Sequence, residues 1–145
     1  VRQIKTFAEW AEINHSRSFR NFLSEQQKLA LQQRSDLKAL ESVLGIFLSG
    51  ATCHPVQGFL NEAEKVIRFP ENDIDITESV TAQLIQCVKH YELVTYQAAL
   101  TIARNLKEQK VVSKLTKIVL EEEQAYLNLQ NFITSRRQNA VSASF

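Results

Sequence analysis

From Asp75 to Leu106 the sequence contains neither glycine nor proline, and apolar residues recur there at helical spacing. Such a stretch folds as one long helix, because nothing in it loosens the backbone or removes an amide donor. The rest of the chain is built alike. Three glycines and two prolines punctuate 145 residues rich in Gln, Glu, Lys, Leu and Ala, which favours long helices joined by few breaks and leaves little room for strands. With 44% hydrophobic and 23% charged residues, the balance is that of an ordinary globular domain with one core. The expected fold is all-α and single-domain over residues 1–138, with a flexible tail at 139–145.

Several function classes find no support. Lys and Arg number 17 against 16 Asp and Glu, so no global field draws the chain to nucleic acid or an anionic membrane; Arg136 and Arg137 read as the solvated end of a helix. The longest apolar run, Val43 to Ala51, is far shorter than the roughly 18 residues of a membrane span. Cys53 and Cys87 lack metal-ligand spacing and read as small apolar residues of a reduced protein, which with no signal-peptide pattern gives a cytoplasmic expectation. No glycine-rich phosphate loop occurs, and the adjacency of Cys53 and His54 is not the geometry of a catalytic dyad. His15 lies in a polar break and reads as a surface residue, and no small-molecule substrate is identifiable.

Taken in order, Val1 to about Asn14 reads as a short amphipathic helix with Ile4, Phe7, Ala8 and Ala11 on one side and Trp10 near its edge. Ser16 or Ser18 can cap a second helix running to about Leu48, whose stripe is Phe19, Phe22, Leu23, Ala30, Leu37, Leu40, Leu44 and Phe47. Gln26 and Gln33 fall on that stripe, and Asp36 points away from it. After a connection from Gly50 to Pro55, a short helix reaches about Arg68 and buries Val56, Phe59, Leu60, Ala63 and Val66. A loop follows from Phe69 to Asp73. Asp75-Ile-Thr-Glu78 then has the form of a capping box opening the third long helix. The turn Asn105-Leu-Lys-Glu-Gln109 is short enough to force antiparallel packing of the last helix, which places Val111, Leu115, Ile118, Val119, Glu122, Tyr126, Leu129 and Ile133 on one face and loses its period from Ser135.

Two carboxylates interrupt these apolar faces. Glu92 shares a stripe with Ile85, Val88, Thr95, Tyr96 and Ala99, and Glu122 sits within the stripe of the last helix. Lys89 stands three residues before Glu92 on the same face, where an ammonium can neutralise a carboxylate without any metal. His90 is about 200° from Glu92 around the helix, so it turns toward another helix or a partner.

The segments Cys53-His-Pro-Val-Gln-Gly58, Val88-Lys-His-Tyr-Glu92 with Tyr96, and Leu120-Glu-Glu-Glu123 resemble the landmarks of the YciE/YciF family, a bacterial, stress-associated, ferritin-like group without an assigned reaction. The resemblance covers about Leu37 to Leu129. It implies a ferritin-like up-down four-helix bundle with a short extra helix between the second and third long helices, and a homodimer. Where the family shows Glu-His-Tyr-Glu this chain has Lys89 in the first place, and Gln and Leu replace the acidic stretch of the second helix. Glu9 and Glu12 on the first helix read as exposed. Of a di-metal ligand set, the resemblance leaves Glu92 and Glu122, with Glu123 a poorer third.

Two carboxylates fall short of the roughly four Glu and two His that such centres use. The expectation is therefore a degenerate, metal-free site in a structural or stress-associated protein. Lys89 replaces the metal charge there, and Gln26, Gln33 and Tyr96 are polar residues at the former site. The alternatives are an Fe- or Mn-dependent redox enzyme acting on oxygen or peroxide through Glu92, Glu122 and His90, and a homodimeric interaction module presenting aromatics such as Trp10, Tyr91, Tyr96 and Tyr126.

Overall fold

The computed structural model of the chain describes residues 2–13, 16–45, 47, 53–68 and 73–142, with the backbone alone for residues 2, 4 and 137–142. The described residues form five helices and no strand: α1 Arg2–Ala11, α2 Arg17–Leu44, α3 His54–Arg68, α4 Ile74–Asn105 and α5 Gln109–Ser142. The expectations about His15, Gly50 and the loop at 69–72 lie outside the described residues.

Local chemistry sets the helix ends. Ser16 caps α2, its hydroxyl accepting from the Phe19 amide, and Gly45 ends that helix in the left-handed region at φ 63°, where a residue without Cβ costs nothing. The helix thus stops before the expected Leu48, because Gly45 supplies the stop. At the start of α4 the cap is Asp73, whose carboxylate accepts from the Asp75 and Ile76 amides. The expected capping box at Asp75–Glu78 does not form, since Glu78 is drawn into the interior instead.

Helix α4 closes on a Schellman turn. The Glu108 amide donates to the Ala103 carbonyl and the Lys107 amide to Arg104, with Lys107 itself at φ 59°. Helix α5 continues to Ser142, past Ser135 where its apolar period fades, so residues 139–142 are helical.

Helices α1, α2, α4 and α5 are the four members of the bundle, and α3 is the extra helix, laid against α4. Ten residues give α1 a length of about 15 Å, against about 42 Å for α2. The consequence is a core in two parts. At one end Phe7 and Trp10 of α1 pack with Phe19, Phe22 and Leu23 of α2, Leu60 and Ala63 of α3, Ile85 of α4 and Leu129 of α5. Trp10 is thus a core residue and not an edge one.

At the other end, among the described residues, only α2, α4 and α5 contribute, through Leu40, Leu100, Ala103, Val111, Leu115, Ile118 and Val119. The α2 stripe runs out there: Leu44 is 37% exposed and Phe47 85% exposed, because the helix ends at Gly45. On α3 the buried fourth residue is Ile67 in place of Val66.

Candidate functional site

Between the two apolar clusters lies a polar layer built from all four bundle helices. Lys89 on α4 is fully buried, and its ammonium donates to Glu122 Oε1 of α5 at 3.0 Å and to Glu92 Oε2, one turn along its own helix, at 3.1 Å. Glu122 is equally buried, and Glu92 is partly so. Gln3 at the start of α1 completes the ring by donating its amide to Glu92 Oε1 at 2.8 Å. Gln33 of α2 lies beside Glu122, where its amide works against the rise that burial imposes on the carboxyl.

Yet neither Gln33 Nε2 nor Glu122 Oε2 completes a hydrogen bond with the protein. The carboxylate is therefore less fully satisfied than its partner, since an uncompensated buried oxygen keeps its desolvation cost.

Charge in this layer follows from burial. Burial opposes the Lys89 charge, but Glu92 and Glu122 more than offset it and hold the ammonium above the usual lysine range. For Glu122 burial dominates and pushes the carboxyl upward; Lys89 pulls it down, and Glu92 repels it. Two carboxylates compete for one cation. Tyr96 borders the layer, and burial together with both carboxylates raises its phenol above the ordinary range, so the ring stays neutral.

The other candidates stand apart. Glu123 is on the flank of α5, where its carboxylate faces the Gln97 amide at 3.5 Å, and His90 is exposed with its ring 5.8 Å from Tyr126. Thr95, expected on the buried stripe, is exposed and donates to the Tyr91 carbonyl. Glu9 and Glu12 are exposed, as their spacing suggests. Gln26 is buried two turns before Gln33 and lines a cleft with Glu121. No three His, Cys, Asp or Glu residues come together at metal-binding geometry among the described residues.

Two further buried ion clusters escape a reading by stripes. Asp36, expected to point away from the core, is 6% exposed and accepts from Lys114 at 2.8 Å and Lys117 at 2.7 Å. It lies about 80° from the centre of the α2 stripe, on the side that meets α5, so its carboxylate is buried by two lysines arriving from a helix distant in sequence. These two bonds hold the Asp36 carboxyl well below the usual range.

Arg136, expected to be solvated, is drawn inward. Its guanidinium pairs with fully buried Glu78 at 2.7 Å and with Asp75 at 2.7 Å, bonds Ser16 and Ser18, and lies over the Phe132 ring. Glu78 also accepts from the Ser16 amide and hydroxyl. One forked cation thus ties the end of α5 to the starts of α2 and α4.

The same architecture occurs in known proteins. The crystal structure of the Escherichia coli stress protein YciF matches with a TM-score of 0.86 over 94% of this chain and 86% of that chain, at 19% identity. YcfI from Rhodopseudomonas palustris matches at 0.80 over 89% and 82%, at 24% identity. At these identities the likeness shows the fold, which is the ferritin-like helical bundle. In sequence, Protein YciF of E. coli K12 is 31% identical over 88 residues, which are 61% of this chain and 52% of that protein; the chain spans about half the length of that relative. Residues 4–142 match the family described as Domain of unknown function (DUF892), and the chain belongs to that family.

Proposed function

We propose that this chain is a non-catalytic, stress-associated helical protein whose interior carboxylates are neutralised by Lys89 in place of a metal ion. The observation that carries the reading is the position of the Lys89 ammonium, in hydrogen-bond contact with Glu92 and Glu122 at once. A divalent ion at that point would have two carboxylates, no imidazole and an ammonium within the same shell. The α2 residue beside it, Gln33, is an amide. Such a donor set does not fit a di-metal pair, whose charge needs about four carboxylates to balance. The association with stress rests on the name of the E. coli protein with the same fold. A cytoplasmic setting accords with the free thiols of Cys53 and Cys87, and no helix among the described residues is long and apolar enough to cross a membrane.

Metal analysis of protein purified without chelators tests this reading. Iron and manganese each far below one per chain, with no peroxide turnover, is the expected result. One Fe or Mn per chain retained through gel filtration would overturn it and favour a redox enzyme.

A second element of the proposal is self-association. Tyr91, Val94, Ala98 and Ile102 form an exposed apolar stripe along the outer face of α4, with exposures of 41% for Tyr91, 52% for Val94 and 60% for Ile102. A second copy laid antiparallel on this stripe would bury it, in keeping with a homodimer. Solution mass by light scattering distinguishes dimer from monomer, and Val94→Glu should shift a dimer to monomer.

A further inference from the structure

Charge on α2 is sorted by face. All of its cations, Arg17, Arg20, Lys28, Arg34 and Lys38, are exposed, and at about 100° per residue they fall within an arc of about 120° that runs about 32 Å along the helix. The acids of α2 lie outside that arc, Glu25 and Asp36 on the side that meets α5 and Glu41 beyond the opposite edge. None of these cations meets a carboxylate of the described residues within ion-pair distance: Asp36 takes Lys114 and Lys117, and on the adjoining α1 Glu9 is turned to Lys5 while Glu12 is exposed to solvent. Arg17 and Arg20, and again Arg34 and Lys38, are like charges at three- and four-residue spacing, an arrangement that weakens a helix left to itself.

The net charge of +1 gives the chain no excess of cations as a whole; the fold gathers those of α2 on one ridge. We propose that this ridge is a docking surface for double-stranded nucleic acid, held through its phosphates without reading the bases. Arg17, Arg20 and Arg34 present guanidinium groups, whose planar fork matches phosphate oxygens two at a time. The aromatic residues of α2, Phe19 and Phe22, are buried in the core, so the ridge has no ring on which the bases of a single strand could stack. Leu31, 46% exposed, is the one large apolar side chain on the ridge, too little to anchor a helix in a bilayer. A flat membrane also touches only the crest of a convex ridge, whereas a duplex groove about 12 Å wide takes in a helix.

The test is fluorescence anisotropy of a labelled mixed-sequence duplex of about 20 base pairs, titrated with the full chain from about 20 to about 200 mM salt. The logarithm of the binding constant should fall against the logarithm of salt concentration with a slope of about −4.5, the value for about five phosphates. Lys28→Gln combined with Lys38→Gln should make that slope shallower by about 2 without lowering Tm, since neither side chain holds a partner in the fold. Lys65→Gln combined with Arg68→Gln makes the same change in net charge on the exposed side of α3 and should leave the slope as in wild type. No binding at the lowest salt, a slope shallower than about −3, equal losses in the two double variants, or capture by phosphatidylserine vesicles with no binding to the duplex would overturn the proposal.

Discussion

Lys89 Nζ lies 3.0 Å from Glu122 Oε1 across the α4–α5 seam, with both side chains fully buried. The pair sits in the layer that divides the two apolar clusters, so its charges are isolated from water on either side. Truncating one member strands the other. Lys89→Ala should cost about 3–5 kcal/mol in chemical denaturation, the range for an abandoned buried charge, whereas Lys89→Ala combined with Glu92→Gln and Glu122→Gln should cost much less. Equal losses in the single and triple variants would contradict the pairing.

The layer also sets a pH dependence. The Lys89 ammonium is held above its ordinary value of 10.5, so its contribution is fully present below about pH 10.5 and is lost as pH rises through the higher folded value. The stability difference between wild type and Lys89→Ala should shrink above about pH 10.5, and also on acidification, where Glu122 without Lys89 takes up a proton, read from urea midpoints at each pH.

Asp36 governs the acid side with the opposite sign. Its carboxyl is depressed below 3.8 by Lys114 and Lys117, so its contribution is present above about pH 3.8 and disappears as pH falls through the folded value. Because both lysines are close to half exposed, Asp36→Asn should cost about 1–2 kcal/mol at neutral pH, between an exposed pair and a buried charge-assisted bond. The variant should also lose less stability on acidification than wild type.

Sequence periodicity reveals the helices and the polar layer because both lie on apolar stripes. Glu92 and Glu122 interrupt runs of Ile, Val and Leu, and Lys89 stands one turn from Glu92. What periodicity does not reveal is a partner arriving from elsewhere in the chain. Asp36 sits at the edge of its stripe, and only the approach of α5 makes it buried. Arg136 reads as a surface residue until the fold brings Glu78 beneath it. Gln3 offers no signal at all, since its role depends on α1 beginning level with Glu92.

The Arg136 cluster predicts a specific loss at one end of the bundle. Arg136→Ala should cost about 2–4 kcal/mol, because buried Glu78 loses a charge-assisted partner, and Arg136→Lys should restore part of it, lacking the fork that spans Glu78 and Asp75. Amide exchange should rise at the starts of α2 and α4 together.

At the α4–α5 turn the left-handed Lys107 carries a Cβ where glycine would fit without strain. Lys107→Gly should therefore stabilise the protein by about 1 kcal/mol, seen as a raised Tm.

The ammonium itself offers the most direct measurement. In ¹⁵N-lysine-labelled protein at neutral pH, the Lys89 side chain should give a solvent-protected NH₃⁺ signal that stays sharp when one equivalent of Mn(II) is added. A signal broadened away by that equivalent, or one exchanging as fast as those of surface lysines, would contradict an interior cation standing where a metal would sit.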